Sequence, residues 1–106
     1  MENIKTLEQI KRPWVVAHRG YRGSYPENTL VAFEAAIGVN ADMIELDVSL
    51  TRDRIPVVIH DNTLDRTTNG SGPVSEHTLA ELKELDAGSW FSTKFSGEAI
   101  DRKSVV

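Results

Sequence analysis

A strict alternation of apolar and polar side chains runs through MIELDVSL, residues 43–50 of this 106-residue chain. Alternation with a period of two is typical of a β-strand, because successive side chains point to opposite faces. Glu45 and Asp47 share one face, about 7 Å apart along the strand, and aliphatic side chains occupy the other. We therefore predict one half-buried strand over residues 43–50, with two carboxylates side by side.

The paired carboxylates admit two interpretations. Like charges at this spacing resist joint ionisation unless a cation or a base neutralises them. The first interpretation is a site for a hard divalent cation, Mg²⁺ or Ca²⁺, held by oxygen ligands. The second is a strand with a solvated acidic face and no ligand. The segments on either side of the strand bear on this choice.

The composition limits the size and the partners of the protein. A chain of 106 residues, 40% of them apolar, can form one small domain with a hydrophobic core. A net charge of −4 makes a nucleic-acid backbone an unsuitable partner. The chain has no cysteine, which excludes disulfides and thiol chemistry. It also lacks an apolar run of the roughly 18–20 residues that a membrane span needs, and an apolar signal-peptide core, so we expect a cytoplasmic protein.

Three elements are predicted before the acidic strand. Residues 1–11 have the pattern of an amphipathic helix, and the apolar run at 14–17 predicts a buried strand. After a loop, residues 26–29 open a helix that ends near Gly38, and Asn28 is its predicted N-cap. The order strand, helix, strand predicts a parallel βαβ unit.

The connection after the acidic strand is too short for another parallel crossover. Only four residues, 51–54, separate it from the apolar run at 55–60, whereas a crossover needs about a dozen. The two segments should therefore form a β-hairpin. A turn symmetric about residues 52 and 53 places Glu45 opposite His60, and a one-residue bulge would turn His60 to the other face.

The remaining chain predicts a small helical and loop segment. Residues 61–73 are rich in turn-forming residues. The sequence TLAE at 78–81 matches a capping box and predicts a short helix that Gly88 ends. Three aromatic residues between 90 and 95 should cover the core rather than bind a ligand.

Polar side chains that could take part in catalysis or binding occur where each predicted strand ends or emerges. They are His18, Arg19, Glu45, Asp47, His60 and Asp61. In parallel α/β folds the carboxyl ends of the strands hold the active site. The set suits a phosphate ester. A divalent ion stabilises charge on one phosphate oxygen, an arginine fork holds another, and two histidines transfer protons. Each residue also has a simpler interpretation, as a hydrogen-bonding histidine, an ion-paired arginine or a loop-capping aspartate.

Four ordered motifs are similar to one known family. They are HRG at 18–20, PENT at 26–29, ELDV at 45–48 and HD at 60–61. Together they resemble the glycerophosphodiester phosphodiesterase family. The segments LDRTTNG at 64–70 and GSWF at 88–91 also resemble its inserted segment, so the resemblance covers residues 14–100.

The resemblance implies a TIM barrel and metal-dependent hydrolysis of glycerophosphodiesters to glycerol 3-phosphate and an alcohol. It implies roles for seven residues, which are the acid/base pair His18 and His60, the phosphate-binding Arg19, the rim residues Glu27 and Asn28, and the metal ligands Glu45 and Asp47. We expect the metal to be Mg²⁺ or Ca²⁺. The implied mechanism uses the glycerol hydroxyl of the substrate as the nucleophile, so no serine or cysteine is needed.

The length of the chain departs from this pattern. A TIM barrel needs about 250 residues, so we predict the N-terminal portion of an incomplete (β/α) barrel. It should contain a β-hairpin between Glu45 and His60 and a small inserted helical and loop segment. Residues 101–106 depart from the family pattern and are interpreted as a tail, and no residue matches a further metal-binding carboxylate that the resemblance implies.

Two alternatives to the hydrolase therefore stay open. One is an inactive truncated fragment that retains metal or phosphate binding, and the other is a related phospholipase-type phosphodiesterase. We expect a small-molecule glycerophosphodiester as the partner. We also expect self-association through apolar faces that too few helices cover.

Overall fold

The computed structural model describes residues 14–103, and the helix predicted over residues 1–11 lies outside this range. The described residues form β1 (Val16–His18), α1 (Leu30–Gly38), β2 (Met43–Glu45), β3 (Val48–Leu50), β4 (Pro56–Val58) and α2 (Leu79–Leu82). Short 3₁₀ turns cover Val74–Glu76 and Thr93–Phe95. Within residues 14–103, no helix is long and apolar enough to cross a membrane.

The predicted parallel βαβ unit is confirmed. β1 and β2 pair in parallel, with Val16 opposite Met43 and His18 opposite Glu45. The intervening α1 buries Ala32, Phe33 and Ala36. The register brings the last residue of β1 level with the last residue of β2, so both strands deliver a polar side chain at the same edge.

The N-cap of α1 was predicted one residue too early. Thr29, not Asn28, caps the helix, because its hydroxyl accepts a hydrogen bond from the backbone N–H of Ala32. Asn28 instead adopts a left-handed backbone conformation with φ of 57°. Asparagine tolerates this conformation better than most residues, and its side chain is thereby free to bond elsewhere.

The prediction of one continuous strand over residues 43–50 is also wrong. β2 ends at Glu45 and β3 begins at Val48, and the two strands belong to different two-stranded sheets. Backbone groups at this junction form hydrogen bonds with neighbouring loops instead of continuing one strand. The carbonyl of Glu45 accepts from the N–H of Arg19 at 2.8 Å, and the N–H of Asp47 donates to the Asn28 side chain at 3.4 Å. The apolar–polar alternation could not indicate this change of partner.

The predicted β-hairpin is present, but its register is shifted by one residue. β3 and β4 pair antiparallel, with Val48 opposite Val58 and Leu50 opposite Pro56. The turn contains five residues because Thr51 closes it. The backbone N–H of Thr51 donates to the carbonyl of Ile55, and its hydroxyl accepts from the N–H of Ile55. The expected opposition of Glu45 and His60 is therefore wrong.

The core lies between the hairpin and the segment that follows it. It is formed by Val57, Ile59, Leu64, Val74, Leu82, Ala87 and Ile100. The predicted capping box of α2 is confirmed at Thr78 and Glu81, although the helix ends at Leu82 rather than near Gly88. Arg102, two residues after Ile100, also lies here, because it forms an isolated β-bridge with Val57.

The first strand was predicted to be buried and is not. Val16 is 51% exposed, because within residues 14–103 β1 pairs with β2 alone. Other strand residues are similarly exposed, and we call the set the exposed strand residues: Val16, Met43, Val48 and Leu50. Among the aromatic residues expected to cover the core, Phe95 is buried against Tyr25, whereas Trp90 is 38% exposed.

Candidate active site

His18 and Glu45 form the centre of the candidate site. Their side chains meet at 2.9 Å between Nε2 of His18 and Oε2 of Glu45. The contact follows directly from the parallel register of β1 and β2, which sets these two positions side by side. The sequence predicted that Glu45 would face His60, but the histidine that contacts it is His18.

The turn after β1 places Arg19 between two further carboxylates, Asp47 and Glu27. Arg19 and Gly20 both have positive φ, 60° and 81°. The Arg19 side chain is largely buried, with its Nε 3.5 Å from Oδ2 of Asp47 and its Nη1 3.4 Å from Glu27. Its Nε has no hydrogen-bond partner among the described residues. Buried donors are normally satisfied, and the 3.5 Å ion pair with Asp47 satisfies this one only weakly.

Asn28 orients Asp47 through a reciprocal pair of hydrogen bonds. Its Nδ2 donates to Oδ2 of Asp47 at 3.1 Å, and its Oδ1 accepts from the backbone N–H of Asp47. The left-handed backbone of Asn28 aims the side chain at this target rather than at the start of α1. The residue predicted to shape the rim is therefore placed to position a predicted metal ligand.

The carboxylates present a partial fit to a divalent cation. Oε1 of Glu45 is buried and has no hydrogen-bond partner among the described residues. A buried carboxylate oxygen without a donor is costly unless a cation neutralises it. Residues 14–103 contain no group of three or more histidine or acidic side chains that could hold a metal ion. Glu45 and Asp47 thus offer two oxygen ligands of the kind that Mg²⁺ or Ca²⁺ takes, and no described residue completes the set.

His60 belongs to a second cluster that the sequence did not predict as a unit. Its Nδ1 lies 2.7 Å from Oδ1 of Asp61. Arg66 donates to both oxygens of Asp61, at 2.9 and 3.0 Å, and to both oxygens of Glu27, at 3.0 and 2.9 Å. Arg66 is not among the predicted site residues, and its only signal in the sequence is its position inside the LDRTTNG segment.

The charges of this second cluster favour ionised carboxylates. Hydrogen bonds from Arg66, and then from His60, hold the pKa of the Asp61 carboxyl well below its usual range. Burial opposes ionisation of Glu27, but the hydrogen bonds and charges of Arg66 and Arg19 outweigh it and lower the pKa of Glu27. Both carboxylates therefore stay negative near neutral pH and act as hydrogen-bond acceptors.

A small cleft of about 10 Å³, partly open to solvent, is lined by residues from both clusters. Glu27, Asn28, His60 and Thr67 contribute its polar lining, and aliphatic side chains of the core contribute the rest. His60 therefore shares one concave surface with the residues that contact Arg19 and Asp47. The site residues predicted from the sequence therefore form two linked groups and are not all in direct contact.

Comparisons with known proteins agree with this architecture. The Glycerophosphoryl diester phosphodiesterase family model matches residues 18–106. YhdW of Bacillus subtilis is 61% identical over 93 residues, which are 88% of this chain and 38% of YhdW. A glycerophosphodiester phosphodiesterase structure from Agrobacterium tumefaciens superimposes with a TM-score of 0.87 and 46% identity, covering 89% of this chain and 41% of that one.

A second solved structure adds a bound molecule. A phosphodiesterase from Oleispira antarctica, in complex with the product sn-glycerol-3-phosphate, matches with a TM-score of 0.83 and 46% identity. The match covers 86% of this chain and 37% of that protein. This chain therefore spans about 40% or less of the length of such relatives. It belongs to the glycerophosphoryl diester phosphodiesterase family, a family of phosphoric diester hydrolases with the TIM-barrel fold.

Proposed function

We propose that this chain carries the acid/base and carboxylate portion of a site for metal-dependent hydrolysis of glycerophosphodiesters. The observation that carries the proposal is the contact of His18 with Glu45 at the carboxyl ends of β1 and β2, with Arg19 in the adjoining turn. Two buried polar atoms there make no hydrogen bond among the described residues. One of these atoms, Oε1 of Glu45, suits a cation. The other, Nε of Arg19, suits a phosphate oxygen.

The substrate phosphate would be held between opposite charges. Arg19 donates to one phosphate oxygen with a fork geometry that matches an anion. Asn28 keeps Asp47 oriented, and the pairing of β1 with β2 keeps Glu45 in place. A divalent ion on Glu45 and Asp47, when bound, would supply electrostatic stabilisation of charge on the phosphate.

The histidines would move the protons. One of His18 and His60 removes the proton from a glycerol hydroxyl of the substrate as it attacks phosphorus. The other gives a proton to the alcohol oxygen as its bond to phosphorus breaks. Water then opens the resulting cyclic ester to give glycerol 3-phosphate. The sn-glycerol-3-phosphate in the Oleispira antarctica structure supports this substrate class.

Release of glycerol 3-phosphate from glycerophosphocholine tests the proposal. The chain is assayed with Mg²⁺, with Ca²⁺ and with a chelator, alongside His18→Ala and His60→Ala. We expect chelator-sensitive turnover that falls about 10²- to 10⁴-fold in either variant, as general acid–base catalysis predicts. His77→Ala is the matched control, because Nδ1 of His77 bonds the carbonyl of Pro73 outside the site. Near-normal turnover in both site variants would sink the acid/base assignment.

A second candidate function is binding of a cation or phosphate without turnover. It is favoured by the absence, among the described residues, of a third acidic or histidine ligand for a metal. Binding of glycerol 3-phosphate to folded protein that shows no hydrolysis would select this candidate over the hydrolase.

A further inference from the structure

We infer that Arg66 is a positioning residue that holds His60 through Asp61 and ties it to the buried Glu27. The inference rests on the proposed function only in giving His60 a role in proton transfer. Its evidence is the hydrogen-bond geometry of four side chains that come from three separate segments of the chain. Nothing in the spacing of the motifs indicates that Arg66 joins two of them.

The guanidinium of Arg66 bridges two carboxylates. Its Nε and Nη2 donate to Asp61, and its Nη1 and Nη2 donate to Glu27, all four contacts falling between 2.9 and 3.0 Å. Only the planar fork of arginine can address two carboxylates in this way, since lysine offers a single flexible ammonium group. The guanidinium also lies 5.9 Å from the centre of the Trp90 ring, which restricts it on one side.

The bridge determines which nitrogen of His60 carries the hydrogen. Asp61 accepts from Arg66 with both oxygens and remains ionised, so it can only accept from His60. Nδ1 of His60, 2.7 Å from Oδ1 of Asp61, is then the protonated nitrogen of the neutral ring. Nε2 is left as the nitrogen able to take or deliver a proton. An aspartate that fixes a histidine tautomer in this way also stabilises the cationic ring that forms during proton transfer.

Glu27 is the fixed end of the bridge. It is 8% exposed and lies two residues before the Thr29 cap of α1, whereas the His60 side chain is 41% exposed. Glu27 also contacts Arg19, at 3.4 Å, so the same carboxylate links the His60 cluster to the predicted phosphate contact. The buried position of Glu27 is therefore explained by anchoring Arg66 and Arg19, with no direct contact to substrate required.

The tautomer of His60 can be measured without any turnover. Long-range ¹H–¹⁵N spectra of imidazole-labelled protein at a pH of about 8, above the usual histidine range, show which ring nitrogen is protonated. In the unsubstituted protein we expect His60 with its hydrogen on Nδ1. Arg66→Lys should convert this single form into a mixture of both tautomers. Arg52→Lys is the matched control, since Arg52 pairs with one exposed carboxylate, Glu81, and should leave His60 unchanged.

A second variant guards against loss of folding in Arg66→Lys. Asp61→Asn removes the shared carboxylate, so the His60 tautomer and the exchange rate of the Arg66 Nε–H should change together. A change at His60 alone would overturn the inference, because Arg66 would then not belong to the chain of contacts. Hydrogen on Nε2 of His60 in the unsubstituted protein, or an unchanged tautomer in folded Arg66→Lys, would overturn it as well.

Kinetic measurement separates this inference from the proposed hydrolysis. Where the chain turns over glycerophosphocholine, Arg66→Lys should lower kcat about 10- to 100-fold with little change in KM, as expected for a displaced catalytic group. Absence of turnover with the expected tautomers would reject the hydrolase and retain the positioning role. Normal turnover with unchanged tautomers in Arg66→Lys would reject the positioning role and retain the hydrolase.

Discussion

Replacement of Gly20 by alanine should be one of the most damaging small changes in this chain. Gly20 has φ of 81°, in the left-handed region where a side chain costs about 1–2 kcal/mol. An added Cβ would also lie 2.9 Å from Cβ of Ala32 and 3.0 Å from a ring carbon of Phe33. Carbon atoms normally pack at about 3.5–4.0 Å, so the turn after β1 and helix α1 must separate.

The magnitude follows from these two effects. Overpacking of a well-packed site costs about 1–3 kcal/mol, which gives a total loss of roughly 2–5 kcal/mol with the backbone cost included. That is a large part of the 5–15 kcal/mol typical of a folded domain. The displaced residue lies next to Arg19, so binding of glycerol 3-phosphate should weaken as well.

Two other glycines separate the causes in a urea unfolding series. Gly97 has φ of 90° and nothing within 4 Å of an added Cβ, so Gly97→Ala should show only the backbone cost of about 1–2 kcal/mol. Gly23 has neither a positive φ nor a neighbour, so Gly23→Ala should be neutral or stabilising by up to about 1 kcal/mol. Equal stability of the Gly20 and Gly97 variants would refute the cost assigned to packing. Equal stability of all three variants would refute the packing cost and the backbone cost together.

Four further predictions concern the core, a helix cap, pH and the surface. Leu82→Ala should lower the free energy of unfolding in urea by about 2–5 kcal/mol, because Leu82 is fully buried. Thr29→Ala should lower it by about 0.5–2 kcal/mol and reduce helical circular dichroism, because the cap of α1 is lost. The low pKa of Asp61 stabilises the fold above about pH 4–5, so stability should fall as the pH drops further, and less so in Arg66→Gln. Light scattering should show concentration-dependent self-association through the exposed strand residues, and Val48→Lys should reduce it.

The elements that depend on local spacing could be predicted from the sequence. The parallel βαβ unit followed from strand and helix patterns, and the hairpin followed from the shortness of residues 51–54. The capping box at Thr78 was visible as a four-residue motif. The hairpin and the capping box depend on residues close together in the chain, where steric and hydrogen-bond rules decide the outcome. The parallel pairing of β1 with β2 spans 27 positions and follows from the order of the elements.

The features that depend on distant partners could not be predicted. Asn28 and Thr29 are both good helix caps, and the choice between them depends on Asp47, which lies 19 positions from Asn28. The hairpin register depends on how Thr51 closes its turn. Arg66 reaches Glu27 across 39 positions, so no local pattern could connect them. The site was therefore predictable as a set of motifs, but not as two clusters linked by Glu27 and the two arginines that it binds.

Binding of Mn²⁺ followed by NMR tests most directly the central claim that Glu45 and Asp47 hold a divalent cation beside His18. Mn²⁺, a paramagnetic substitute for Mg²⁺ at oxygen ligands, should broaden the signals of these three residues. A chelator should restore them, and Glu45→Gln should prevent the broadening. Broadening confined to other acidic loops, such as the one around Asp86, or broadening that persists in Glu45→Gln, would contradict the account.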